Sequence, residues 1–139
     1  MEMRRLFLLD LENNEIEEIP TDAFADLHKL VFLKLNGNKI KKIEAPLLNH
    51  LYHLHTFSAI KNSLIEIDEE LFKNNLKLRW IYLAANHIEQ LSIDFTQLKY
   101  LRAVDLRKNV GNCNFLVNFD EQTTVEDFQN NVTTYCKRK

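Results

Sequence analysis

Three sets of side chains in this 139-residue chain could do chemistry, and each is constrained by its neighbours. His50, His53 and His55 form the one histidine cluster, and strand-like alternation would put His53 and His55 on the same face. Metal ligation would need a third or fourth donor nearby, yet the intervening residues are Leu51, Tyr52 and Leu54, so no metal site and no cofactor are assigned. Cys113 and Cys136 are the two cysteines and bracket the last segment. They read as one disulfide closing a loop of about 24 residues, worth roughly 3 kcal/mol in the chain-entropy picture. Two free buried thiols are the alternative. Arg79, Trp80 and Tyr82 combine the residue types that concentrate binding energy at interfaces. With two glycines there is no phosphate-cradling loop, and no nucleophile stands in an activating motif. Glu15, Glu17, Glu18 and Asp22 read as a solvated face. The chain is therefore read as a non-enzyme.

The elements that must position these residues follow from asparagine. Asn14, Asn38, Asn62, Asn86 and Asn109 recur at intervals of 24, 24, 24 and 23 residues, each closing an apolar stretch. The units run Leu6-x-x-Leu9-x-Leu11-x-x-Asn14, Leu30-x-x-Leu33-x-Leu35-x-x-Asn38, Leu54-x-x-Phe57-x-Ala59-x-x-Asn62, Leu78-x-x-Ile81-x-Leu83-x-x-Asn86 and Leu101-x-x-Val104-x-Leu106-x-x-Asn109. This is the leucine-rich repeat pattern. A unit this short holds one strand and a return segment and cannot bury its apolar face alone, so the units must stack. The expected fold is an α/β solenoid: a right-handed horseshoe with a parallel sheet on its concave face. An amide at the turn out of the strand supplies both a donor and an acceptor to backbone groups that would otherwise lack partners. Further columns repeat in the return segments, namely Ile16, Ile40, Leu64 and Ile88, then Ile19, Ile43, Ile67 and Leu91, then Phe24, Leu48, Phe72 and Phe95. The last column holds Leu27, Leu51 and Leu98 but has Asn75 in the third unit, where Leu76 is expected to serve instead.

After Asn109 the pattern stops, so residues 1–109 are assigned to five repeats and 110–139 to a disulfide-closed C-terminal cap. Val125, Phe128, Val132 and Tyr135 or Cys136 lie at helical spacing, and Thr123 with Glu126 forms a capping box that predicts a helix start there. The segment from Leu101 through Asp105, Arg107, Asn109 and Cys113 to Cys136 resembles the C-terminal cap of secreted insect leucine-rich repeat proteins. Mosquito leucine-rich immune proteins are the nearest functional group in that resemblance, although further cysteines and a coiled coil beyond the cap are not present here. The resemblance implies an extracellular role, with innate immunity as one form of it.

Composition sets the remaining bounds. The formal net charge of −2 gives no reason to favour nucleic acid or an anionic membrane, and no apolar run reaches the length of a membrane span. Met1 to Leu9 resembles a short leader, but Asp10, Glu12 and Asn14 make it the first repeat. That repeat has no cap in front of it. Either earlier repeats and a signal peptide precede it in a longer protein, which we favour, or its open strand edge serves self-association. Asn131-Val132-Thr133 is a glycosylation acceptor triplet, which needs Asn131 to face solvent.

Function in such a stack belongs to the side chains that point outward from the concave sheet at fixed spacing. Phe32, Lys34, Arg79, Trp80, Tyr82, Arg102 and Arg107 are the expected partner-binding residues. Charge shifts along the groove from Asp10 and Glu12 to Arg102, Arg107 and Lys108, which would orient a protein partner. A secreted recognition or complex-forming module is the first expectation, and an intracellular scaffold or adaptor the alternative.

Overall fold

The computed structural model describes residues 3–136, the side chains of Met3 and of residues 132–135 excepted, so Val132 and Tyr135 of the expected helix face lie outside the described side chains. Each repeat contributes a three-residue strand: β1 (Leu8–Asp10), β2 (Phe32–Lys34), β3 (Thr56–Ser58), β4 (Trp80–Tyr82) and β5 (Ala103–Asp105). They pair in chain order and all parallel, with Leu9, Leu33, Phe57, Ile81 and Val104 in one register row. The last four of these are fully buried, and with the return-segment columns they form one continuous core. This is a leucine-rich repeat solenoid.

The turn after each strand is built the same way each time. The residue just before the repeated asparagine has a left-handed backbone, with φ of 57° at Asn13, 72° at Gly37, 59° at Lys61, 57° at Ala85 and 62° at Lys108. That conformation costs a residue bearing a Cβ roughly 1–2 kcal/mol. The asparagine offsets it. Asn62 Nδ2 donates to the carbonyl of Ala59 in its own coil (3.1 Å) and of Leu35 in the coil before (3.0 Å), while its Oδ1 accepts from the N–H of Ile40 (3.1 Å). Asn38, Asn86 and Asn109 repeat all three bonds. Asn14 is exposed and donates only within its own coil, to Leu11 and Glu12.

The return segments are turns and short 3-10 helices, at Ala45–Leu48 and Phe95–Gln97. In the third unit the expected substitution does not occur. Leu76 is 50% exposed, and Asn75 itself fills the leucine column at 0% exposure. Its Nδ2 donates to the carbonyls of Leu48 (2.9 Å) and Leu51 (3.0 Å), so a polar side chain is tolerated there because the preceding coil offers acceptors.

The cap also departs from expectation at its start. Before any helix, the chain forms β6 (Leu116–Asn118), which pairs antiparallel with β5 and adds a sixth strand to the sheet. The helix α1 spans Val125–Tyr135, and its cap is Thr124, whose Oγ1 accepts from the N–H of Asp127 (3.1 Å). Thr123 lies one residue before that cap, in the preceding turn, where Asp120 Oδ1 accepts from its N–H (2.7 Å). Phe128 from α1 packs against Phe95, Phe115 and Phe119 at ring separations of 5.5, 5.7 and 5.5 Å. Gln129 fastens the helix to the last return segment, accepting from Phe95 N–H (2.7 Å) and donating to the Ile93 carbonyl (3.2 Å). A disulfide joins Cys113 to Cys136, both buried, with Cα atoms 4.3 Å apart.

Candidate functional site: the concave sheet

The parallel register sorts the outward side chains into two rows. One runs Leu8, Phe32, Thr56, Trp80, Ala103, and ends on Asn118 of β6. The other runs Asp10, Lys34, Ser58, Tyr82, Asp105, Leu116. Trp80 and Tyr82 therefore stand side by side on the central strand, each flanked by smaller residues. Both are half-buried, and neither stacks on another ring among the described residues. Phe32 differs, because Phe7 meets it edge-on at 5.3 Å.

Not every outward position is open. Ala103 and Asp105, at 5% and 3% exposure, are buried between the larger Trp80 and Tyr82 and the added strand β6, and Ser58, at 5%, is buried between Lys34 and Tyr82. Lys61 and Lys108 lie in the left-handed turns after the strands. A polar network crosses the strand ends: Asn36 Nδ2 donates to Glu12 (2.9 Å), and its Oδ1 accepts from Ser58 Oγ and from Ile60 N–H, both at 2.7 Å.

Charge is distributed unevenly. Arg107 donates to Asp105 through Nε (3.0 Å) and Nη2 (2.9 Å), and its backbone N–H adds a third bond. Burial pushes the Asp105 carboxyl up, but those bonds and the Arg107 charge outweigh it, and the net shift is below the usual carboxylate range. Arg107 is thus oriented by its neighbour. Among the described residues the other ion pair is Lys42–Glu44, so Lys34, Arg79 and Arg102 keep unneutralised charge. Arg79 and Arg102 sit at the start of the strands beside Lys99, across a groove of about 410 Å³ from Asp120 and Glu121 of the cap.

The histidines do not converge. His50 lies near the rings of His28 (6.0 Å) and Tyr52 (6.3 Å), while His53 Nδ1 is 3.1 Å from Lys77 Nζ. His55 has its pKa lowered by partial burial and by the charges of Arg79, Lys77 and His53. Among the described residues no group of three or more His, Cys, Asp or Glu could hold a metal ion, and no helix is long and apolar enough to cross a membrane.

Asn131 is exposed on α1, its Nδ2 donating to the Asp127 carbonyl (2.8 Å). Sequence reasoning missed Gln129 and the Asn36 network. Neither carries a motif, since each works through contacts with residues more than 20 positions away in the sequence.

A parallel sheet and an asparagine ladder define a leucine-rich repeat fold, and the leucine rich repeat family model matches at residues 1–40. The chain is similar to human epiphycan, 34% identical over 104 residues, and to mouse keratocan, 33% identical over 108. These matches cover 73% and 76% of the chain, which spans about 30% of the length of either relative. The crystal structure of the LRIM1/APL1C complex superposes with a TM-score of 0.72 at 27% identity, covering 76% of this chain and 20% of that one.

Proposed function

We propose that this chain is a non-enzymatic protein-interaction module acting outside the cell, in recognition or complex formation. Residues 1–109 serve as the binding body and residues 110–139 as its cap. The observation that carries the reading is Trp80 and Tyr82, half-open on the central strand, with no ring against them among the described residues and with Arg79, unpaired among those residues, alongside. Aromatic and arginine side chains so placed supply contact area without requiring the partner to displace an existing stack. Lys34 and Arg102 extend the charged surface to either side, and Phe32 and Arg107, already held by Phe7 and Asp105, offer oriented contacts. The disulfide supports an oxidising compartment. The likeness to a chain of the LRIM1/APL1C complex supports assembly with another protein as the mode of action, and the resemblance of the cap to that of secreted insect leucine-rich repeat proteins supports a defence role. A further contact is proposed at the first coil, where Phe7 and Leu8 are 58% and 43% exposed beside the outer edge of β1. Sedimentation as a monomer at high concentration would remove that contact.

The test of the main surface is affinity capture with wild type and Trp80→Ala, followed by binding measurements on the purified captured protein. Trp80→Ala should keep the fold and weaken that protein by tenfold or more, about 1.4 kcal/mol or greater. Equal binding by both would overturn the surface assignment. Native protein in which both cysteines react with an alkylating agent without reduction would overturn the extracellular reading.

A further inference from the structure

On the cap, between β6 and α1, Phe115, Leu116 and Val117 on one side and Phe128 on the other line a groove of about 280 Å³. Leu116 is 41% exposed there, an apolar side chain outside the core at the β6 end of the outward row. Asn131 lines the same groove and is itself exposed. One of its two Nδ2 hydrogens is committed to the Asp127 carbonyl (2.8 Å), which holds the amide at the groove rim, and the second has no acceptor among the described residues. Asn131 also opens the acceptor triplet Asn131-Val132-Thr133.

We propose that Asn131 carries an N-linked glycan and that its first sugars lie in this groove, covering Leu116 and Val117. The proposal rests on the extracellular reading, because the modification is made in the oxidising secretory compartment that also forms the Cys113–Cys136 bond. The donor is a lipid-diphosphate-linked oligosaccharide. An N–H bond of Asn131 and the C1–oxygen bond to the diphosphate break, the N–C1 bond forms, the diphosphate leaves with the bonding pair, and the amide proton goes to solvent. The remaining N–H keeps its bond to Asp127. A pyranose ring offers carbon-bound hydrogens on one face and hydroxyls at its edge, which matches an apolar wall bordered by Thr123 and Asp127. Because the sugar is tethered to the wall, its docking is intramolecular and needs little intrinsic affinity.

The experiment fuses the full chain to a cleavable signal peptide, secretes it from glycosylating eukaryotic cells, and measures intact mass and the fluorescence of an apolar dye. Wild type and Thr133→Ser, which keeps the triplet, should carry a glycan mass, whereas Asn131→Gln and Thr133→Ala should not. The two unglycosylated variants should bind dye severalfold more strongly, and adding Leu116→Ser to either should abolish the excess. Wild type secreted without the glycan would overturn the modification. A glycosylated wild type that binds dye as strongly as Thr133→Ala would overturn the seating in the groove. A glycosylated fusion combined with reactive cysteines in the native protein would instead locate the failure in the extracellular reading, leaving the site competent and naturally unused.

Discussion

Asn13 and Gly37 hold the same place in successive coils, and the Asn13 carboxamide lies where a Cβ on Gly37 would be. Ala85 and two lysines adopt the same left-handed backbone in other coils, so backbone conformation alone does not demand glycine here. Gly37→Ala is expected to cost about 1 kcal/mol in urea unfolding. The cost should shrink by about 0.5 kcal/mol or more when Asn13 is first changed to Gly. Additive effects would show that the side chain of Asn13 is not the obstacle.

The asparagine ladder predicts a ranking. Asn62→Ala strips a buried acceptor from Ile40 N–H and two donor bonds from the carbonyls of Leu35 and Ala59, and should cost roughly 1–3 kcal/mol. Asn14→Ala loses only exposed bonds within its coil and should stay within about 0.5 kcal/mol of wild type. Chemical denaturation of both variants checks this, and equal losses would remove the cross-coil bonds as the source of the ladder's strength.

At Asn75 the direction reverses. Its Oδ1 is buried without a hydrogen-bond partner among the described residues, while Leu48 and Leu51 carbonyls already accept backbone N–H groups at 3.1 and 3.3 Å. Asn75→Leu would restore the column, remove the unpaired oxygen and leave those carbonyls bonded. We expect stabilisation of about 1 kcal/mol and a higher Tm. A lower Tm would mean that the Nδ2 bonds outweigh the lone oxygen.

His55 should titrate below 6.5 by NMR, chiefly from partial burial and then from Arg79, Lys77 and His53. The folded state binds fewer protons than the unfolded one between the lowered pKa and 6.5, so this group's contribution to stability rises with pH through that window and is complete above it. Arg79→Gln should move the midpoint upward. An unchanged midpoint would show that Arg79 does not act on the ring.

The periodic part of this molecule was readable because stacking forces each column to repeat, and chance does not reproduce that. Leu33, Phe57, Ile81 and Val104 are buried together for the reason their spacing gave. Single-copy features were not readable. β6 is three residues long, too short for alternation to announce it, and the left-handed position is filled by Asn13, Lys61, Ala85 and Lys108 as well as Gly37, so no glycine marks it. At the concave face, spacing identified the outward positions, but the screening of Ala103 and Asp105 depends on strand neighbours that spacing does not specify.

The reversed strand at the cap makes the solenoid a directional assembly. Parallel β1 to β5 each present the hydrogen-bonding edge that the next coil matches, whereas β6 runs the other way and offers no template for a further 24-residue unit. Duplication or loss of whole units upstream of Leu78 would leave the contacts of the cap with Ile93, Phe95 and β5 unchanged. Variation in length among proteins of this design should therefore accumulate ahead of the last coil, with the cap and the coil it grips inherited as one piece.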